Sequence, residues 1–122
     1  MKTDNLFKIA GSIYRQTVEN QGCTMNIRGE SPVSGYMVGL NTRSLVINLL
    51  NLDEGHIDSF IRSNLGILFD KSKYVGTWCR DGVVYIDISV NCPDLDSALT
   101  MAKVNKQLAI WSIEKAKEIQ LH

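Results

Sequence analysis

The sequence predicts an α+β domain, with one largely antiparallel sheet packed by two or three helices. Three observations carry this. An 18-residue stretch, Tyr74 to Asn91, has the pattern of a β-hairpin. Several shorter β-type runs are joined by tight turns rather than by crossover helices. Three segments with helical spacing are inserted between the strand groups. Sheets connected in this way are mostly antiparallel, because a parallel pair needs a long crossover. A length of 122 residues suits one domain, residues 1–122, able to bury a core without a metal or a disulfide staple.

The first segment, residues 4 to 20, reads as an amphipathic helix. Leu6, Phe7, Ala10, Ile13, Tyr14, Thr17 and Val18 keep helical spacing, Thr3 or Asp4 can cap it, and Gly22 ends it. Gly11 is a weak point in its middle. Strands are expected at Cys23 to Ile27, at Val33 to Leu40, and at Ser44 to Leu50. In the third, either Val46 and Leu49 or Ile47 and Leu50 point inward. Asp53 caps a second helix that runs to about Asn64, with an apolar stripe of Ile57, Phe60, Ile61 and Leu65 and Gly66 just past it as its stop.

In the hairpin, Asp81-Gly82 supplies the residues that tolerate positive φ at both centres of a type I′ turn. The strand after it alternates: Val84, Ile86, Ile88 and Val90 on one face, Tyr85, Asp87, Ser89 and Asn91 on the other. A two-residue loop pairs Trp78 with Tyr85 and puts the indole on the polar face; a three-residue loop with a bulge moves it to the core. The first register is preferred, since it leaves Val75, Thr77 and Cys79 to back the core. A third helix starts at Pro93-Asp94, uses Leu95, Ala98, Leu99 and Ala102, and stops at Asn105. Residues 109 to 121 fit either two short strands or a helix carrying Ile110, Ile113, Ala116 and Ile119, and Trp111 packs at a sheet face or a subunit contact.

Composition narrows the function. Thirteen basic and thirteen acidic residues are mixed along the chain, so no basic stripe is available for duplex nucleic acid. No apolar run is long enough for a membrane span and no signal peptide is apparent, so a cytosolic protein is expected. Cys23, Cys79 and Cys92 form an odd set without paired spacing and read as reduced thiols. His56 and His122 stand far apart, so neither a metal site nor a cofactor is expected. Phosphate-loop, dinucleotide, nucleophile-elbow and zinc-protease motifs are all missing. What remains is the polar row of the hairpin. An indole, a phenol, a carboxylate and an amide in one row suit holding a small ligand, although a half-exposed aromatic ladder that only stiffens the sheet has the same pattern. Arg28 and Arg43, at strand ends, have the chemistry to meet a phosphate, or are solvated loop ends.

The strings Gly35 to Val38, Tyr74 to Trp78, Val84 to Asn91, Asp94 to Leu99 and Asn105 to Trp111 together resemble the first type of phage Thoeris anti-defence sponges. The resemblance covers roughly half the chain, mostly residues 74 to 119. It implies a non-enzymatic protein in the cytoplasm of an infected bacterium. Such a protein binds a cyclic ADP-ribose isomer made by a bacterial TIR-domain sensor and keeps the effector inactive. It also implies homodimers able to assemble further into hexamers, and in some members uptake of cyclic oligonucleotides at separate sites. Trp78, Asp87 and Asn91 are the ligand-binding residues carried by the matching strings, with Tyr85 in the same row. Arg28 and Arg43 follow from phosphate chemistry alone. The competing expectations are a phage or mobile-element inhibitor that binds a host defence protein, as anti-CRISPRs do, and a nucleotide-cleaving enzyme using Asp87.

Overall fold

The computed structural model describes residues 3–42 and 44–121. The first helix, α1 (Thr3–Asn20), leads into strand β1 (Gly22–Met25). The expected Thr3 or Asp4 cap falls on side chains outside those described. Gln21, with φ 69°, makes the left-handed turn out of α1. Gly22 therefore is not the stop. It is small for another reason: a Cβ there would meet the Thr77 carbonyl oxygen at 2.9 Å.

β1 is shorter than expected because Asn26 turns the chain. Its Oδ1 accepts from the backbone N–H groups of Arg28 (3.0 Å) and Glu30 (2.9 Å). Residues 31 to 35 then form a loop, and β2 covers only Tyr36–Gly39. β3 (Leu45–Asn48) follows and passes into a single 3₁₀ turn, Leu49–Asn51. Strand periodicity puts Leu45 and Ile47 on the packed side, while Leu50 lies on the 3₁₀ turn in solvent.

α2 (Glu54–Ser63) begins with a complete capping box. Asp53 accepts from the His56 N–H at 3.0 Å, and His56 Nδ1 accepts from the Asp53 N–H at 3.2 Å. Ile57, Phe60 and Ile61 are buried as the stripe requires. Gly66 does not end this helix; Asn64 does, and Gly66 lies within a one-turn helix, α3 (Leu65–Leu68).

β4 (Lys73–Arg80) and β5 (Val83–Cys92) form the hairpin in the two-residue register, Arg80 opposite Val83 and Trp78 opposite Tyr85. Asp81 (φ 53°) and Gly82 (φ 77°) both take positive φ, as a type I′ turn demands. Asp94 caps α4 (Leu95–Val104), accepting from the Ser97 N–H at 2.8 Å. The left-handed residue after α4 is Lys106 (φ 56°), not Asn105, which keeps φ −93°. Residues 109 to 121 are strands, β6 (Ala109–Ser112) and β7 (Lys117–Gln120), with Ala116 at φ 49° in their turn. Pairing of β6 with β2 favours the extended state over the helix that the local spacing also allowed.

The seven strands of the described residues make one antiparallel sheet, six of them in the order β1-β4-β5-β2-β6-β7 and the seventh, β3, paired with β5 off this path. β5 is its axis. One edge pairs with β4, while the other is shared, with β3 alongside Val83 to Ile86 and β2 alongside Ser89 to Cys92. All helices pack on one face. Val75, Cys79, Val84, Ile86 and Ile88 meet α1, α2 and α3, and Val38, Val90 and Cys92 meet Ala98 and Ala102 of α4. A buried hydroxyl pair, Thr17 on α1 and Thr77 on β4, ties helix to sheet. The three cysteines are free and buried. No helix among the described residues is long and apolar enough to cross a membrane. The result is the expected α+β domain, two layers deep, with one sheet face left bare.

Candidate binding groove on the bare sheet face

Strand periodicity determines what the bare face carries. On β4 it holds Gly76, Trp78 and Arg80, on β5 Tyr85, Asp87, Ser89 and Asn91, on β2 Met37 and Gly39, and on β6 Ala109 and Trp111. Small residues, Gly39, Gly76 and Ser89, sit on the inner strands β2, β4 and β5, and Gly22 lies on the edge strand opposite Trp78. The face is consequently a groove of about 950 Å³, lined by Trp78, Arg80, Tyr85, Asp87, Ser89, Met37, Gln107, Trp111 and Glu118 among others. Its volume lies at the upper end of the range that small-molecule sites occupy.

The rim is aromatic. Trp78, Tyr85 and Trp111 remain 51%, 42% and 44% exposed, which leaves their rings available to a partner. Trp78 and Tyr85 face each other across the hairpin, centroids 6.4 Å apart and planes tilted by 41°. The Arg80 guanidinium lies over the Trp78 ring, 5.7 Å from its centroid, a cation–π arrangement.

Asp87 lies in the floor. Its partner across the hairpin is Gly76, and a Cβ on Gly76 would come within 2.8 Å of Asp87 Oδ1. The carboxylate thus lies across β4 in space that only glycine leaves open. Among the described residues it has no hydrogen-bond partner and no ion pair. Burial raises its pKa above the usual carboxylate range, since the low-dielectric floor disfavours the charged form.

The other sequence candidates are placed differently. Asn91 shares the face but not the groove. Its Nδ2 donates to the Ser34 carbonyl at 2.9 Å and contacts Met37 Sδ at 3.2 Å, pinning the 31–35 loop. It borders a smaller hollow of about 310 Å³ with Glu30, Pro32, Ser34 and Tyr74. Arg28 is exposed on the Asn26 turn and does not line the groove. Arg43 lies outside the described residues. The structure therefore gathers Trp78, Tyr85 and Asp87, and supplies Arg80 as the cation beside them.

Arg80, Gly76, Trp111, Gln107 and Glu118 are groove residues that the sequence reading did not assign. Two were within reach: in the preferred register Arg80 must share the face of Trp78, and Gly76 must oppose Asp87. The other three are brought in by the β2–β6 pairing, which no local pattern announces. Among the described residues no three His, Cys, Asp or Glu side chains gather as a metal-binding set. No protein-family model, curated protein or solved structure matches the chain.

Proposed function

We propose that the groove binds a cyclic ADP-ribose isomer and holds it without cleavage, so that the chain acts as a phage anti-defence sponge in the host cytoplasm. In this role it takes up the signal of a TIR-domain sensor, and the Thoeris effector is never switched on. The observation that carries the reading is the single line of groups on the hairpin: a cation at Arg80, an aromatic pair at Trp78 and Tyr85, and a carboxylate at Asp87 that has no partner among the described residues. Each matches one part of such a ligand. Arginine suits the diphosphate, an indole suits the adenine, and a carboxylate accepts from hydroxyl or amine donors. A sponge works by mass action, so abundance counts as much as affinity.

Titration calorimetry of the protein with the cyclic ADP-ribose isomers tests this. Saturable binding, followed by recovery of ligand of unchanged mass after heat denaturation, is the expected result. Absence of binding to every isomer rejects the ligand, and a changed ligand mass rejects sequestration in favour of an Asp87-dependent enzyme. Size-exclusion chromatography checks the dimer or hexamer that the reading includes. One observation favours a second reading, an inhibitor that docks on a host defence protein. Two half-exposed tryptophans, one of them under an arginine, are also the residue types that anchor protein interfaces. Capture of a host defence protein that Trp78→Ala and Trp111→Ala abolish, with no nucleotide bound, would establish that alternative.

A further inference from the structure

We infer that Asp87 reads the exocyclic amine of the ligand's base, so that the groove selects an adenine and rejects its 6-oxo counterpart, hypoxanthine. The inference rests on the nucleotide reading of the groove and specifies what it recognises.

The argument is one of order along a strand. Arg80, Trp78 and Gly76 occupy alternate positions of β4 on the same face. Asp87 leans from β5 over Gly76, so its carboxylate enters the β4 line. Alternate strand positions are separated by about 7 Å. The line therefore reads cation, indole, carboxylate, with the positions of Arg80 and Gly76 roughly 14 Å apart at the backbone and the Arg80 guanidinium folded to 5.7 Å from the Trp78 ring centroid. In a nucleotide the ribose and phosphates leave from one edge of the base, and the exocyclic amine of adenine projects from the opposite edge. A base stacked on Trp78 with its phosphates toward Arg80 presents that amine to Asp87. The ribose diol lies on the phosphate side and does not reach the carboxylate in this orientation. A carboxylate is an acceptor only, so it takes an amine N–H and repels a carbonyl oxygen. Because Asp87 has no protein partner among the described residues, its acceptor sites are open to the ligand. A buried group that is satisfied by one base and left facing an acceptor by another discriminates strongly.

The test compares one cyclic ADP-ribose isomer with the matching cyclic inosine diphosphate ribose by calorimetry, on the wild type and on Asp87→Asn. The wild type should prefer the adenine form by roughly tenfold or more, the size of a good base-edge contact. Asparagine has the same shape but can donate, so Asp87→Asn should narrow or invert the preference. Thermal melts of both proteins confirm that the substitution leaves the fold intact. Equal wild-type affinity for the two bases, or a preference unchanged in Asp87→Asn, overturns the amine assignment while leaving the nucleotide groove standing. Failure of the wild type to bind either form overturns the groove reading itself, and the base assignment with it.

Discussion

Asp87 can lie in the floor of the groove because Gly76, its cross-strand partner, has no Cβ; one placed there would stand 2.8 Å from Asp87 Oδ1. Gly76→Ala therefore has to push the carboxylate out of the β4 line. Its φ is not in the left-handed region, so the backbone accepts alanine. We expect a loss of ligand affinity of about tenfold, the size of one good hydrogen-bonding contact, with a small change in melting temperature. Calorimetry and thermal melting on the one variant separate the two effects.

Asp87 also sets a pH signature. Its folded pKa lies above the ordinary value, so protonation favours the folded state. The stability it contributes is present below the unfolded carboxylate pKa and is lost as pH rises through the raised folded pKa. At neutral pH the raised pKa costs stability, and Asp87→Asn should raise the melting temperature there and leave it unchanged near pH 3. Arg80 and Glu118 are the other charged groups that line the groove, and Tyr85 adjoins Asp87 on the strand. Arg80→Gln and Glu118→Gln controls assign the change to Asp87. A melting temperature equal to wild type at pH 7 would argue against an uncompensated carboxylate.

Asn91 should behave as a clamp. Asn91→Ala removes the donor to the Ser34 carbonyl and frees the 31–35 loop. Amide hydrogen exchange in that loop should rise, and stability should fall by about 1 kcal/mol. Affinity in the groove should stay within about twofold, since roughly 13 Å of strand separates Asn91 from Asp87. A loss comparable to that of Asp87→Ala would return Asn91 to the binding residues.

The thiols should be inert in the folded state. All three cysteines are buried, and burial pushes the Cys23 thiol up to about 11, which leaves almost no thiolate at neutral pH. Alkylation by iodoacetamide at pH 8 should proceed only in denaturant, where mass spectrometry should record three additions. Rapid labelling of the native protein would show an opening that exposes the core.

The thread between Thr17 and Thr77 should be worth little when removed whole and more when halved. Thr17 also donates to the Ile13 carbonyl at 2.7 Å, so Thr77→Val leaves that hydroxyl with a partner. A loss of about 0.5–1.5 kcal/mol is expected from denaturant titration. The double change to valine should recover part of it.

The hairpin was legible because its signals are local. The Asp81-Gly82 turn and the alternation from Val84 to Val90 fix the register, and the register puts Trp78, Tyr85 and Asp87 on one face. The helix caps at Asp53 and Asp94 were legible for the same reason. Residues 109 to 121 were ambiguous because Ile110, Ile113 and Ile119 satisfy a helical spacing, and only pairing with β2 selects strands. Two of the three misplaced stops, Gly22 and Asn105, fall on the best left-handed former, whereas Gln21 and Lys106 take that conformation next to them; the third, Gly66, lies inside α3. Asn91 is carried to the ligand by the matching strings and shares the polar face, but its hydrogen bond to Ser34 crosses to a loop that no pattern positions.

The shared edge of β5 has a consequence during synthesis. β1 precedes its partner β4, and β2 and β3 precede theirs, β5. A chain leaving the ribosome N-terminus first must therefore carry three unpaired strands until the hairpin emerges. At roughly 5–20 residues per second that wait lasts several seconds. A chain made in bulk spends that interval with open strand edges, so its yield depends on chaperone capacity as well as on transcription.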